Sequence, residues 1–230
     1  MKNNFSTRLS TGHYIFGGIY LGVQQYLLPI LLILAASLLG LRLSDSWFNF
    51  IFFSINFLVI TIVFHRYLRG ELRRFFAKPL ACLGIAAAGF ALYWVANIYV
   101  SVAISFITPD FSNANDASIQ LMANDQDALM FAGSVLLVPV VEETLYRGVI
   151  FSFTDHFSRP LAYIISTLLI ALVHVVGYMG SMDLLTIFIS ILQYLPAGVF
   201  LCWAYARSGT LVAPILIHTA VNLIGMAAMR

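Results

Sequence analysis

Seven runs of apolar residues, separated by short polar connections, take up most of this chain. They cover roughly residues 15–41, 47–67, 80–107, 128–153, 161–179, 184–206 and 211–229. A helix that crosses a bilayer needs about 20 apolar residues. Hydrocarbon offers no partner to backbone amides, so a spanning segment must be a helix or part of a closed barrel. Barrel strands would be about 10 residues long and would alternate in polarity, and these runs do neither. Hydrophobic residues make up 61% of the chain and charged residues 10%, against about 25% charged in a soluble domain. That balance excludes a water-soluble globule and a disordered chain. The expected fold is all-α: a polytopic transmembrane helix bundle of about seven helices, six to eight depending on whether Pro29 or Pro196 breaks a run.

Residues 1–230 read as a single transmembrane domain with no room for a large soluble one. The lipid bilayer is therefore the first partner. A net charge of +2 gives no footprint for nucleic acid. Cys82 and Cys202 both fall inside apolar runs, which argues against a disulfide framework. The N-terminal stretch has no short apolar core and no small-residue cleavage site, so the first run is read as a retained helix and not as a signal peptide. The sequence sets no oligomeric state.

Charge placement orients the spans. With a cytosolic N-terminus, the inner segments hold Lys2, Arg8, Arg66, Arg69, Arg73, Arg74, Lys78, Arg159 and Arg207, and the outer segments hold only Arg42 and Arg230. Such a bias follows the positive-inside rule. Asp45, Asp110, Asp116, Asp125, Asp127 and Asp183 then fall outside, in loops. Residues 66–78 become the main cytosolic loop, suited to anionic headgroups, and residues 108–127 the main external loop. His13, His65 and His156 lie near interfaces and read as solvated. The small residues Ala81, Gly84, Ala88 and Ala91 suggest close packing inside the bundle.

A few ionisable residues sit where hydrocarbon should exclude them. The fourth run holds Glu142, Glu143 and Arg147, the fifth His174, and the seventh His218 with Asn222. Charges at such depth are costly and mark function. Glu143 and Arg147 are spaced i, i+4 with the acid first, so an ion pair is expected. Glu142 is rotated about 100° from Glu143 and has no such partner, which leaves its carboxylate free for chemistry. His218 and Asn222 share one helix face. At about 1.5 Å per residue, all these groups lie within a turn or two of the same depth, so one intramembrane site is expected.

These residues resemble the CPBP family, the CAAX proteases and bacteriocin-processing enzymes, also called the ABI family, which includes type II Ras-converting CAAX endopeptidases. The first family motif, EExxxR, is Glu142-Glu143-Thr144-Leu145-Tyr146-Arg147, followed by Gly148. The second, an aromatic residue four positions before a histidine, is met at His174 but has Ile170 at the aromatic position. The third is His218 and Asn222, preceded by the lead-in at residues 207–218. The three helices within residues 1–107 carry no motif, whereas the helices of residues 128–230 carry all of them.

The resemblance implies an intramembrane endopeptidase acting on a membrane-associated peptide or protein, in a prokaryotic plasma membrane. Bacteriocin immunity or peptide processing is the expected setting. Glu142 would activate water, with His174 assisting in proton handling. His218 and Asn222 would bind the oxyanion, and Glu143 and Arg147 would position the base. No cofactor is favoured. The alternative is Zn2+ held by Glu142, His174 and His218, although the His-xxx-Asn motif is a poor zinc pair. Site-2, presenilin and rhomboid chemistries are disfavoured: HExxH and a GxSG serine are absent, and the aspartates map to loops. The competing reading is a non-catalytic membrane interaction or regulatory protein of the same fold.

Overall fold

The computed structural model describes Phe5 and residues 8–228, except for the side chains of residues 125–127. Lys2 and Arg230 therefore lie outside the described residues, as do the side chains of Asp125 and Asp127. Among the described residues there is no strand. The helices are α1 (Thr11–Leu38), α2 (Asp45–Val63), α3 (His65–Ala77), α4 (Pro79–Ile107), α5 (Ala114–Met130), α6 (residues 131–155), α7 (Arg159–Val176), α8 (Leu184–Ser208) and α9 (Val212–Ala228). Six of them are long and apolar enough to cross a membrane, and α9 is a shorter apolar helix of 17 residues. The chain is a multi-pass membrane protein. Its outer faces show Leu38, Leu80, Phe106 and Leu184 largely exposed, as hydrocarbon-facing positions should be.

Local signals set the helix ends. Ser10, Ser44 and Ser158 each accept a hydrogen bond from a first-turn amide, and Asp183 accepts from Leu185 N and Thr186 N. Gly209, at φ 71, ends α8 in the left-handed conformation that favours glycine. Neither proline divides its helix. Pro29 follows a π-helical turn at Val23–Leu27, and α8 continues through Pro196.

Both main loops expected from the sequence are largely helical. Residues 66–78 fall almost entirely in α3, which buries Tyr67 and Glu71 and exposes Arg66, Arg69 and Arg73. Residues 108–127 include most of α5, whose first turn is capped by Asn113 Oδ1 accepting from Asn115 N at 2.9 Å. Apolar runs alone miss both: α3 is amphipathic, and α5 is mostly polar and small. The small-residue stripe is also corrected. Ala81, Gly84, Ala88 and Ala91 face outward, and α4 buries Cys82, Ala86, Gly89 and Tyr93 instead.

Helix α3 fixes where α9 begins. Glu71 is buried and pairs with Arg8 at 3.3 Å and with Arg74. Its Oε2 accepts from Leu211 N at 2.8 Å, and its carbonyl accepts from Thr210 Oγ1 at 2.8 Å. Arg8 also donates to Gly209 O at 2.8 Å. The N-terminal segment, α3 and the α8–α9 turn are thus tied together two turns before His218.

Helix α6 runs through the middle of the bundle. Half of its span is buried, against 11% for α1. Close contacts around it need glycine. At Gly198 of α8, a Cβ would lie 2.6 Å from Thr167 Cγ2 and 3.0 Å from Thr167 Cα, so it would meet backbone that has little room to yield. Gly198→Ala should therefore force α8 away from α7 and cost about 1–3 kcal/mol. Thermal unfolding in detergent should show a lowered midpoint.

Candidate active site

The local structure of α6 is unusual around its glutamates. One α-helical turn, Val138–Glu143, lies between two π-helical stretches, Phe131–Leu137 and Thr144–Phe151. Single π turns cost hydrogen-bond geometry and tend to persist where a site needs them. Pro139 contributes, because it has no amide to donate back to the preceding turn.

The expected ion pair is present. Arg147 Nη1 donates to Glu143 Oε1 at 2.9 Å, and both side chains are 0% exposed. Arg147 Nη2 also donates to Gly198 O at 3.2 Å. The carboxylate has a second partner that spacing does not reveal: His218 Nδ1 donates to the same Oε1 at 2.8 Å. A carboxylate paired with arginine is acceptor-only, so it fixes which ring nitrogen of His218 carries a proton toward it. The other nitrogen, Nε2, then lies 3.7 Å from Glu142 Oε2. That oxygen is buried and has no hydrogen-bond partner in the protein.

The remaining residues face the same space. Glu142, His174, His218 and Asn222 all line one cavity of about 710 Å³, which α6, α7, α8 and α9 bound together with the N-terminal helices. Asn222 Nδ2 donates to Ser134 O, in the first π stretch, at 2.8 Å. One of its two amide hydrogens remains free. His174 Nδ1 donates to Ile170 O at 2.7 Å, leaving Nε2 as its available nitrogen. Glu143 and Arg147 sit behind this surface, fully buried.

Two site neighbours were not evident from the sequence. The aromatic contact to His174 comes from Tyr194 of α8, with ring centroids 4.5 Å apart at 30°. The Tyr194 hydroxyl lies 3.2 Å from Asp116 Oδ1 and accepts from Asn115 Nδ2 at 3.2 Å. Asp116, expected in a loop, is on α5 and lines the cavity. Burial raises its carboxyl above the usual range, and the bond from Tyr194 lowers it. Asn113, a residue type that favours helix N-caps, is the signal in the sequence that could have found this helix. Nothing in sequence spacing announced Tyr194.

Among the described residues, no three His, Cys, Asp or Glu side chains converge closely enough to hold a metal ion, so Glu142, His174 and His218 do not form a closed zinc set in this structure.

A buried carboxylate–imidazole pair thus stands beside a cavity among membrane helices, with further ionisable groups on the cavity wall. Comparison with known proteins gives a likeness to a protease family over this segment. The family model described as type II CAAX prenyl endopeptidase Rce1-like matches residues 124–224, which include every motif residue. The chain is also similar to UPF0177 protein YxdF of Lactococcus lactis subsp. lactis (strain IL1403). The two are 30% identical over 95 residues, covering 41% of this chain and 47% of the relative. The chain thus spans about half the length of the curated relative it matches. No solved structure matches it.

The burial of the pair makes a stability prediction. Arg147→Met removes the cation from a carboxylate that water cannot reach, and should cost about 3–5 kcal/mol. Combining it with Glu143→Gln should recover part of that loss, because no buried charge is then left alone. Unfolding midpoints of the single and double variants check this.

Proposed function

We propose that this protein is an intramembrane endopeptidase that hydrolyses a peptide bond through water activated by Glu142. The observation that carries the reading is the chain Arg147–Glu143–His218–Glu142, which ends at the cavity faced by His174 and Asn222. The match over residues 124–224 supports a CAAX-type membrane protease kind of function for that segment.

The chemistry follows from the placement of these groups. Glu142 takes a proton from water, and the water oxygen attacks the peptide carbonyl carbon. The carbonyl oxygen becomes an oxyanion. Asn222 offers its free amide hydrogen, and a protonated His218 offers Nε2–H while Nδ1–H stays on Glu143. Collapse of the tetrahedral intermediate breaks the C–N bond. The leaving amine takes a proton from Glu142, with His174 Nε2 assisting in the transfer. The products are a new carboxyl end and a new amine end. Arg147 and Glu143 touch no substrate and act by holding His218.

The substrate class is a membrane-associated peptide or protein. A bacterial plasma membrane, with the basic face of α3 on the cytosolic side, and a role in bacteriocin immunity or peptide processing fit this reading. A water-activating glutamate is the form of the mechanism that the side chains support.

Glu142→Gln keeps the shape and removes the base. In lipid nanodiscs, cleavage of a fluorogenic peptide pool should fall by about 10²–10⁴-fold while the unfolding midpoint is kept. Chelator treatment should leave wild-type cleavage unchanged. A fully active Glu142→Gln protein would contradict the catalytic reading and favour a binding role. Activity abolished by chelator and restored by zinc would replace the glutamate mechanism with a metal one.

A further inference from the structure

The N-terminal half carries no recognised motif, yet α1 reaches the reactive carboxylate. Its π-helical turn, Val23–Leu27, turns both Gln24 and Gln25 toward the cavity. Beside the main cavity is a small lobe of about 60 Å³, lined by Gln24, Gln25, Asn56, Glu142 and Tyr146 together with apolar side chains that include Phe52 and Val173. A water molecule occupies about 30 Å³ in the liquid, so the lobe has room for about two.

The polar side chains around this lobe are largely buried. Gln24 is 7% exposed and Tyr146 3% exposed, and both line the lobe beside Glu142. Glu142 Oε2 is buried and has no hydrogen-bond partner in the protein. Asn56 accepts from Tyr20 and donates to Phe52 O, so it is already satisfied. A buried polar atom left unbonded costs about 1–3 kcal/mol, and more when it is charged. Such an atom is retained where something polar satisfies it.

We infer that Gln24, together with Tyr146, holds the nucleophilic water against Glu142, so that α1 belongs to the catalytic apparatus. This rests on the reading of Glu142 as the base. Glu142 Oε2 accepts one hydrogen of the water, and Gln24 Oε1 accepts the other. The water's lone pair is then left pointing to the cavity, where the scissile carbonyl enters. On attack, the first hydrogen passes to Glu142 and the new C–O bond forms, with Gln24 unchanged. The Tyr146 hydroxyl holds the second water of the lobe. The π-helical turn in α1 acquires a purpose, since it places a glutamine at this depth.

Two variants and one structure test the inference. Gln24→Met keeps length and bulk but removes the carboxamide, and Tyr146→Phe removes only the hydroxyl. Using the fluorogenic peptide pool in nanodiscs, Gln24→Met should lower kcat at least 10-fold and Tyr146→Phe several-fold. KM should stay within 2-fold for both. The unfolding midpoint of Gln24→Met should hold, because the carboxamide bonds to a water and not to the fold; a merely structural role would lower it. Unchanged kcat in Gln24→Met, or a fall in kcat that only tracks a lowered midpoint, overturns the inference. Independently, a crystal structure in lipidic mesophase fine enough to place waters should show one within 3.2 Å of both Glu142 Oε2 and the Gln24 carboxamide. A lobe filled by apolar side chains overturns the inference whatever the kinetics show. A water found there in a protein whose Glu142→Gln variant keeps full activity sinks the role of Glu142 as base, and this inference with it.

Discussion

The site depends on one carboxylate that serves two partners. Glu143 Oε1 takes the guanidinium of Arg147 from its own helix and the imidazole of His218 from α9. Neither charged group could stay so deep without the other. The pair neutralises itself, and the histidine shares the same oxygen, Oε1. The histidine is thereby oriented, and its second nitrogen is aimed at Glu142. The two adjacent glutamates of α6 have different surroundings because the helix points them in different directions: Glu143 is bonded behind the cavity wall and Glu142 lines the cavity.

The scaffold supports that carboxylate from both sides. Gly198 lets α8 come close enough for its carbonyl to accept from Arg147. On the other side, Glu71 of α3 ties the start of α9 to the N-terminal segment, which sets the height of His218. The π-helical stretches of α6 frame the single α turn bearing the glutamates, and the first of them supplies the carbonyl that holds Asn222. The motif residues are concentrated in the C-terminal half, but the cavity that Glu142, His174, His218 and Asn222 face is completed by α1, α2, α4 and α5.

The parts legible in the sequence are those encoded by local pattern. Long apolar runs announce spans because a bilayer allows little else, and the seven runs correspond to six long helices and the shorter α9. The Glu143–Arg147 pair follows from i, i+4 spacing on one helix. The rest depends on tertiary contact. His218 and Glu143 are 75 residues apart, and no spacing rule joins them. Tyr194 reaches His174 from another helix, 20 residues further along the chain, and no spacing rule joins that pair either. Helices α3 and α5 were missed because they are held by polar contacts and lie outside the apolar runs, and with them went the placement of Asp116 beside the cavity.

Nitrogen-15 spectra of histidine-labelled protein in lipid test most directly whether Glu143 orients His218. The His218 Nδ1 should carry a proton bound to a carboxylate, and its resonance should move in Glu143→Gln. An unprotonated His218 Nδ1, with a spectrum indifferent to the loss of the Glu143 charge, would contradict the account at its foundation.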